Sequence, residues 1–419
     1  MTNTYLPRVV DDVIAERLGS AGAVLLEGPK ACGKTRTAQR IAASAIFLDI
    51  DEAAQAAIQV DPTLVLAGEP PQLIDEWQIE ATRVWNHVRA QVDARTAPGQ
   101  FILTGSSVPN DDVRRHTGAG RIARITMRPM SLFESRVSSG VMSLATLMAG
   151  ERPTSRQTGI EVRDIADLVV RGGWPLTVDK PLQSAAQFTS DYLANICDVD
   201  ASRVEGVRRD PYRVRRFLQS IARNAATEMK LARIAADVGS DGDALSRATV
   251  YDYLSVMRRL MVIEEQPPWA PHLRSRTRLR QASKMHFVDP SLATAALGAH
   301  PGQLLADLNY LGLLFESMVL RDARVYAEPL GASLHHYRDG DDLEVDLVVH
   351  TPSGTWGAFE VKLNPTRVDA AAASLLRLVK KIDTDRVGQP AVLGVITATG
   401  YGYTRADGVV VIPIGALGP

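Results

Sequence analysis

The chain has 419 residues, a formal net charge of -1 and 45% hydrophobic residues. This length exceeds what one hydrophobic core usually supports, so the sequence predicts two or three domains. The charge excludes a protein that is basic as a whole, but it permits a local basic surface. Two cysteines, Cys32 and Cys197, are too few for a disulfide scaffold or a structural zinc site. No stretch resembles a signal peptide or a membrane span, so we expect a soluble, cytoplasmic protein without membrane contact.

The first third of the chain alternates short apolar runs with helical stretches. Strands are predicted at Ala23–Leu26, Ile46–Ile50, Gln72–Ile74 and Phe101–Leu103, and helices at Thr35–Ala43 and Ile79–Ala94. Alternation of this kind is typical of a parallel sheet covered by helices.

A glycine-rich segment follows the first predicted strand and opens the first of these helices. It consists of Gly28, Pro29, Lys30, Ala31, Cys32, Gly33, Lys34 and Thr35, and it fits the pattern G-x-x-x-x-G-K-[ST]. In such a loop the backbone N–H groups wrap phosphates and the helix N-terminus favours negative charge. Lys34 would reach the β- and γ-phosphates, and Thr35 would bind magnesium. The segment predicts a site for ATP with Mg²⁺, although a plain glycine-rich turn is the alternative.

Two further strand ends carry polar residues suited to the same site. Asp75 and Glu76 end the strand about 40 residues downstream of Lys34, where Asp75 would hold magnesium and Glu76 would act as the general base for water. Thr104 and Ser106 end the next strand, where either would contact the γ-phosphate or position water. A solvated acidic loop is the alternative for the first pair.

Several segments together resemble a large prokaryotic group of AAA-type ATPases that carry a C-terminal domain of unknown function. The segments are GPKACGKT, LIDEWQ, FILTGSS, Gly120-Arg121, the run Arg128 to Glu134, and Gly172-Gly173-Trp174-Pro175. The resemblance covers nearly the whole chain and implies an AAA-type ATPase core that forms homo-oligomers. It also implies that Arg121 acts as an arginine finger or sensor. Arg121 as a structural residue, or Arg114, Arg115 or Arg124 in its place, are the alternatives.

The middle of the chain, from about Glu161 to Ile263, is predicted to be mostly helical. Its segment Ser246 to Leu260 places Val250, Leu254 and Met257 on one face. It resembles the DNA-reading helix of a winged-helix unit, although packing between domains explains the pattern equally well.

Arginines recur in an alternating row after this segment and in a second group upstream of it. The row is Arg274, Arg276, Arg278 and Arg280, and the group is Arg208, Arg209, Arg213, Arg215 and Arg216. They predict contact with nucleic acid phosphates, or else a charged edge strand.

The last third predicts a helix over Leu311–Ala323 and strands near His335, Val345, Phe359, Val392 and Val409. If the turn after Val349 centres on Ser353, Asp346 lies opposite Glu360, and Glu344 lies opposite Lys362. Carboxylates that converge with a lysine are suited to a metal ion and an activated water.

The pattern of Asp346 followed by Glu360-Val361-Lys362 resembles the PD-(D/E)xK nuclease superfamily. By that resemblance Glu316, Asp346 and Glu360 are metal ligands, and Lys362 orients or activates the nucleophile. Tyr337 and Arg338 are further candidates for phosphate contact. A cross-strand ion-pair network is the alternative. His286 and Asp289 lack a suitably spaced third metal ligand, so we expect a structural strand-to-turn junction there.

The sequence thus predicts an α/β protein in three parts. Residues 1–155 form an AAA-type P-loop NTPase domain with a parallel sheet, residues 156–303 a helical, winged-helix-like segment, and residues 304–419 an α/β nuclease-like domain. The favoured function is an ATPase that couples its nucleotide state to nucleic-acid binding or metal-dependent cleavage. The alternatives are an ATP-dependent regulatory protein with an inactive nuclease-like domain, and an NTPase that remodels a protein partner.

Overall fold

The computed structural model describes residues 5–106, 117–204, 207–239, 245–271 and 282–419. Its strands are β1 Ala23–Glu27, β2 Ser44–Phe47, β3 Gln72–Asp75, β4 Phe101–Gly105, β5 Ile122–Thr126, β6 Met142–Ser143, β7 Thr227–Glu228, β8 Ile263–Gln266, β9 Lys284–Phe287, β10 Ser333–Arg338, β11 Glu344–His350, β12 Trp356–Lys362, β13 Val392–Thr397, β14 Tyr403–Thr404, β15 Val410–Pro413 and β16 Leu417–Gly418.

Helices separate most of these strands. They span Val10–Ser20, Lys34–Gln39, Glu52–Val60, Ala81–Arg95, Leu144–Met148, Val162–Arg171, Leu182–Asn195, Ala201–Arg203, Pro211–Arg223, Leu231–Val238, Arg247–Arg259, Pro290–Leu297, Pro301–Ala306, Leu308–Ala327, Val368–Lys381 and Thr384–Val387, and a π-helical turn spans Ile196–Asp200. Within the described ranges, no helix is both long enough and apolar enough to cross a bilayer.

The N-terminal sheet has the strand order β2-β3-β4-β1-β5, and every pairing in it is parallel. Its strands are apolar on both faces because helices cover both sides. Val10–Ser20 packs on one face and Ala81–Arg95 on the other. The predicted parallel sheet is confirmed, while β5 and the helix Glu52–Val60 were not predicted.

Part of the middle segment combines three of its helices with a small antiparallel sheet. The helices Pro211–Arg223, Leu231–Val238 and Arg247–Arg259 are accompanied by strands in the order β7-β9-β8. Ser246 caps the last of these helices by accepting a hydrogen bond from the Thr249 amide at 3.1 Å, which agrees with its predicted place at a helix start. Val250, Leu254 and Met257 are buried as their spacing predicts.

The C-terminal sheet has the order β10-β11-β12-β13-β15-β14. β10, β11 and β12 are antiparallel neighbours, and β13 runs parallel to β12 after the helix Val368–Lys381. The helix Leu308–Ala327, called the long helix below, packs on one face and shares its core with the middle segment. All five predicted strands are present, whereas the helix Val368–Lys381 was not predicted.

A short stretch after the N-terminal sheet packs against the C-terminal sheet. β6 pairs with β16, and the hydroxyl of Ser138 donates to the Leu417 carbonyl oxygen at 2.6 Å. Ser155 forms an isolated bridge with Gly402. Residues 138–155, which the sequence assigns to the first domain, therefore lie in space against the third.

Candidate functional site

The glycine-rich loop lies at the carboxyl end of β1, in the middle of the parallel sheet. A Cβ on Gly28 would lie 2.1 Å from the Met127 carbonyl oxygen, so only glycine fits at this position. Gly33, at φ +105°, ends the loop and begins the helix Lys34–Gln39. Cys32 is fully buried against Met127. The loop therefore has the backbone shape of an anion-binding turn that leads into a helix N-terminus.

The amine of Lys34 turns back onto the loop that precedes it. Its Nζ donates to the carbonyl oxygens of Gly28 at 2.9 Å and Pro29 at 2.8 Å, and the side chain is buried. Lys30, in contrast, leaves the loop and pairs with Asp200 of the middle segment at 2.7 Å. Of the two loop lysines, Lys34 is thus the one placed to meet a phosphate.

Of the predicted acidic pair, Asp75 contacts the last residue of the loop. The Thr35 hydroxyl donates to Asp75 at 2.9 Å, and Thr104 donates to the same carboxylate from β4. Because β3 and β4 are parallel neighbours, their carboxyl ends deliver Asp75 and Thr104 side by side. A hydroxyl and a buried carboxylate in contact at a phosphate-binding loop form a donor set suited to Mg²⁺.

Glu76 follows Asp75 in the left-handed region, at φ 51°. This conformation is uncommon for a residue other than glycine and is often found at functional sites. Gln78 and Ser106 both donate to its Oε2 atom, with Ser106 at 3.3 Å. Thr104 and Ser106 orient the two acidic side chains, and their contact with phosphate or water stays a prediction.

A cavity of about 590 Å³ joins these groups. Lys34, Thr35, Glu76 and Ser106 form one wall, and the residues Tyr5, Leu6, Arg8, Pro175, Leu176 and Asp179 belong to the rest of the lining. This volume lies within the range of small-molecule and cofactor sites. Arg8 was not singled out in the sequence, although it donates to the Cys32 carbonyl oxygen at 2.8 Å and so supports the loop.

Arg121 lies at the amino ends of the strands, whereas the loop lies at their carboxyl ends. β1 and β5 are parallel, with Ala23 beside Ile122, so Arg121 sits at their amino ends, about 16 Å from the carboxyl ends. Its side chain pairs with Asp93 at 2.9 Å. The prediction of a sensor for its own chain's site is therefore wrong, and a role in a neighbour's site stays a prediction.

Of the three arginines proposed as alternatives to Arg121, only Arg124 lies among the residues that the structure describes. Arg124 pairs with Glu27 at 3.0 Å, directly before the loop. Arg114 and Arg115 lie outside the described residues, as does the row Arg274, Arg276, Arg278 and Arg280.

The second arginine group is largely engaged in ion pairs. Arg209 is buried and holds Asp252 with two hydrogen bonds, at 2.9 and 2.8 Å, so it is unavailable for the predicted phosphate contact. Arg215 lies 3.6 Å from Asp198, and Arg213 lies 3.9 Å from Asp210. The side chains of Arg213 and Arg215 remain half exposed.

In the C-terminal domain the predicted hairpin register is confirmed. Leu347 pairs with Phe359 and His350 with Trp356, so the turn centres on Ser353. Lys362 Nζ lies 3.0 Å from Asp346 and 2.6 Å from Glu360, and the Val361 amide donates to Asp346 at 2.8 Å. Asp346, Glu360 and Lys362 therefore meet on one face of the sheet.

The sequence did not reveal Lys284, which lies among these carboxylates. Its Nζ is 2.8 Å from Glu316, 2.8 Å from Glu344 and 3.8 Å from Asp346, and its side chain is only 4% exposed. We call the two lysines and four carboxylates the acid–lysine cluster: Lys284, Glu316, Glu344, Asp346, Glu360 and Lys362. The sequence signal for Lys284 is a lone charge at the start of an apolar strand, which does not identify its partners.

Burial and charge shift the pKa values within the cluster. Burial, together with Asp346, raises the pKa of Glu360 to about 8. Burial also raises the pKa of Glu316 to about 7, against the opposing effect of Lys284. Asp346 is buried as well, but Lys362 and Lys284 outweigh this effect and hold its pKa below the ordinary value. The surplus of carboxylates is thus only partly neutralised by the two ammonium groups.

The fit of this cluster to a metal ion is poor. The expected ligands Glu316, Asp346 and Glu360 do converge, but lysine amines lie between their oxygens. In the part of the chain that the structure covers, no three His, Cys, Asp or Glu side chains are arranged to hold a metal ion. The geometry matches the ion-pair alternative more closely than a ready metal centre.

The remaining polar candidates have structural partners. His286 is buried between Ser317 at 3.0 Å and Gln266 at 3.2 Å. Tyr337 packs against Trp269, and Arg338 lies 3.5 Å from Glu228. Tyr337 is therefore engaged within the protein, whereas the Arg338 side chain is 42% exposed and its contact with a phosphate stays a prediction.

Comparison with known proteins divides the chain into three matches. Residues 20–135 match the model of an AAA domain, residues 162–303 a domain of unknown function (DUF8612), and residues 311–417 another domain of unknown function (DUF4143). No curated protein matches the chain. A chain from "Structure of Drosophila ORC bound to DNA" is similar at 14% identity, over 71% of this chain and 88% of that one, with a TM-score of 0.21, too low to define a shared fold. The chain thus carries an AAA domain at its N-terminus, followed by two domains of unknown function.

Proposed function

We propose that the chain is an ATPase whose nucleotide state controls a nucleic-acid-binding surface in its middle segment. The observation that carries the ATPase part is that Lys34, Thr35 and Glu76 line one cavity of about 590 Å³, where the Thr35 hydroxyl also contacts Asp75 at 2.9 Å. The four residues come from the end of β3 and from one helix start, and the match to an AAA domain covers all of them. Together they supply a cation for phosphate, a donor set for magnesium and a carboxylate for water.

Each residue has a distinct role in this proposal. Lys34 exchanges the carbonyl oxygens of Gly28 and Pro29 for β- and γ-phosphate oxygens when the triphosphate binds. Thr35 and Asp75 would hold a magnesium ion, which would supply positive charge to the phosphates. Glu76, oriented by Ser106, accepts a hydrogen bond from the attacking water and draws off its proton.

The exposed face of the helix Arg247–Arg259 supports the nucleic-acid part. While Val250 and Leu254 are buried, Arg247, Tyr251 and Ser255 face solvent on the other side. In helix-turn-helix proteins the exposed face of the corresponding helix enters the major groove, and an arginine and a tyrosine are suited to phosphates and bases.

ATP turnover measured with and without duplex DNA or RNA, at about 50 and 200 mM salt, tests this part. We expect stimulation that falls at the higher salt concentration and is lost in the double variant Arg247→Ala/Tyr251→Ala. Arg163→Ala, which removes another exposed arginine from the helix Val162–Arg171, is the matched control and should retain stimulation. Equal turnover with and without nucleic acid would favour a protein partner instead.

Metal-dependent cleavage of nucleic acid is a second candidate function, favoured by the convergence of Asp346, Glu360 and Lys362. The buried amine of Lys284 opposes it, because an ammonium group already lies among the carboxylates. Incubation of DNA and RNA with Mg²⁺ or Mn²⁺ decides between the two. Cleavage that Glu360→Ala abolishes would establish the nuclease, whereas intact substrates would contradict cleavage and leave the binding surface of the middle segment as the proposal.

A further inference from the structure

Two segments that carry the family resemblance supply none of the four catalytic or magnesium-binding side chains proposed above. They are the run from Arg128 to Glu134 and the segment Gly172–Leu176, which we call the strap. Pro175 and Leu176 of the strap line the same cavity as Lys34 and Thr35. The strap therefore forms a wall of the nucleotide pocket, and whatever fixes the strap also fixes that wall.

On one side, the strap is fixed to the AAA domain through the backbone. The Met130 amide donates to the Gly173 carbonyl oxygen at 2.6 Å. A Cβ on Gly173 would lie 2.0 Å from the Met130 carbonyl oxygen, so the two backbones approach as closely as only glycine allows.

On its other side, the strap is fixed by residues that lie far along the chain. Asp289 accepts a hydrogen bond from the Gly173 amide at 2.9 Å, and Trp174 donates from its indole nitrogen to the Ser291 hydroxyl at 3.0 Å. Arg321 of the long helix donates to the same oxygen of Asp289 at 2.8 Å. Asp289 and Ser291 are fully buried, and Arg321 is 3% exposed. Charge-assisted hydrogen bonds in such surroundings are stronger than those between neutral groups.

The next residue of the long helix holds the other segment. Asp322 accepts a hydrogen bond from the Leu132 amide at 3.0 Å and pairs with Arg321 at 2.7 Å. Glu134, from the same segment, pairs with Arg8 at 3.1 Å, and Arg8 donates to the Cys32 carbonyl oxygen in the loop. One turn of a C-terminal helix thus connects to the strap through Asp289 and to the phosphate-binding loop through Leu132 and Glu134.

We propose that Asp289 and Arg321 are positioning residues for nucleotide binding, and that through them the C-terminal domain sets the affinity of the pocket. The inference rests on the proposed ATPase function. Glu316 of the acid–lysine cluster precedes Arg321 on the same helix by five residues, or about 7.5 Å. Coupling between two sites is reciprocal. Nucleotide binding therefore stabilises the long helix by the same free energy by which the helix strengthens nucleotide binding.

Asp289→Asn is the sharpest perturbation, because it preserves shape and keeps an oxygen to cap the helix Pro290–Leu297. Where the amide nitrogen replaces Oδ2, it faces two donors, the Gly173 amide and the Arg321 guanidinium. Loss of these bonds should weaken binding of AMP-PNP with Mg²⁺ about tenfold by calorimetry. KM for ATP should rise by a similar factor with kcat nearly unchanged, because Asp289 touches no reacting group.

Two further variants separate positioning from general loss of stability. Trp174→Phe removes the indole donor to Ser291 together with part of a fully buried ring, and it should weaken AMP-PNP binding in the same direction. It keeps the test valid even where Asp289→Asn fails to fold. Leu314→Ala opens a cavity under the same helix but keeps every hydrogen bond described above, so it should lower the melting temperature without changing KM.

Hydrogen exchange supplies a second readout. AMP-PNP should slow exchange in the long helix of the wild type and have less effect in Asp289→Asn. Nucleotide affinity and exchange that match the wild type in both Asp289→Asn and Trp174→Phe would overturn the inference while leaving the ATPase proposal intact. A wild type that binds no AMP-PNP would overturn both.

Discussion

Replacement of Lys284 by methionine probes the acid–lysine cluster most directly. The four carboxylates and two ammonium groups carry a formal charge of -2, and removal of Lys284 leaves -3 in a largely buried space. Breaking a buried ion pair by removal of one partner typically costs 3–5 kcal/mol. Glu344 is 44% exposed, so its contact contributes little, and the loss comes mainly from Glu316 at 2.8 Å.

We therefore expect Lys284→Met to destabilise the C-terminal sheet by about 3 kcal/mol, the lower end of that range. Every 1.4 kcal/mol corresponds to a factor of ten, so amides of β11 and β12 should exchange with solvent about a hundredfold faster. Hydrogen exchange followed by mass spectrometry is the suitable assay, because it reports local opening in a chain that contains several domains. Peptides from β1 and β4 should exchange at the wild-type rate.

The double variant Lys284→Met/Glu316→Gln is the control for this prediction. Removing the carboxylate that loses its partner should restore most of the protection, as expected for residues that contact each other. Unchanged exchange in Lys284→Met would refute the reasoning. So would protection of β11 and β12 in the wild type by added Mn²⁺, because a cation would then bind despite the Lys284 amine.

Three further predictions concern individual side chains. Thr104→Val removes a buried donor to Asp75 and should lower the steady-state ATPase rate about tenfold at unchanged fold, as judged by circular dichroism. If Arg121 completes a neighbour's site, Arg121→Ala should lose ATPase activity. Mixing it with Lys34→Ala should then partly restore the activity, and no recovery would contradict a role between subunits. Burial and a neighbouring aspartate raise the pKa of Glu360 to about 8, so folding favours its protonated form and the wild type loses stability as pH rises from about 4.5 to 8. Glu360→Gln should therefore gain thermal stability relative to the wild type across that window, and a constant difference would contradict the assignment.

The parts of the site that the sequence predicted are encoded by neighbouring residues. The loop from Gly28 to Thr35 and the pair Asp75-Glu76 can each be located from a short sequence motif. The motif lies at a strand end or a helix start, and that position fixes where the side chains point. The hairpin register followed once the turn was centred on Ser353, since a shift of one residue would move the polar side chains to the other face.

The parts that the sequence missed depend on contacts between distant segments. Lys284 reaches Glu316 and Glu344 only after β9 is placed beside the long helix, and its own neighbours in sequence say nothing of them. The position of Arg121 is similar, because it depends on β5 lying beside β1 at the edge of the sheet. A short motif identifies residues that can belong to a site. Whether they lie at the same end of the sheet as the site depends on how the strands are arranged in the tertiary fold.

The most direct test of the central claim is hydrolysis of radiolabelled ATP with Mg²⁺ by the wild type, Lys34→Ala and Glu76→Gln under single-turnover conditions. The wild type should bind and hydrolyse ATP, Lys34→Ala should fail to bind it, and Glu76→Gln should bind it and retain it uncleaved. Equal hydrolysis by all three proteins would contradict the assignment of this site.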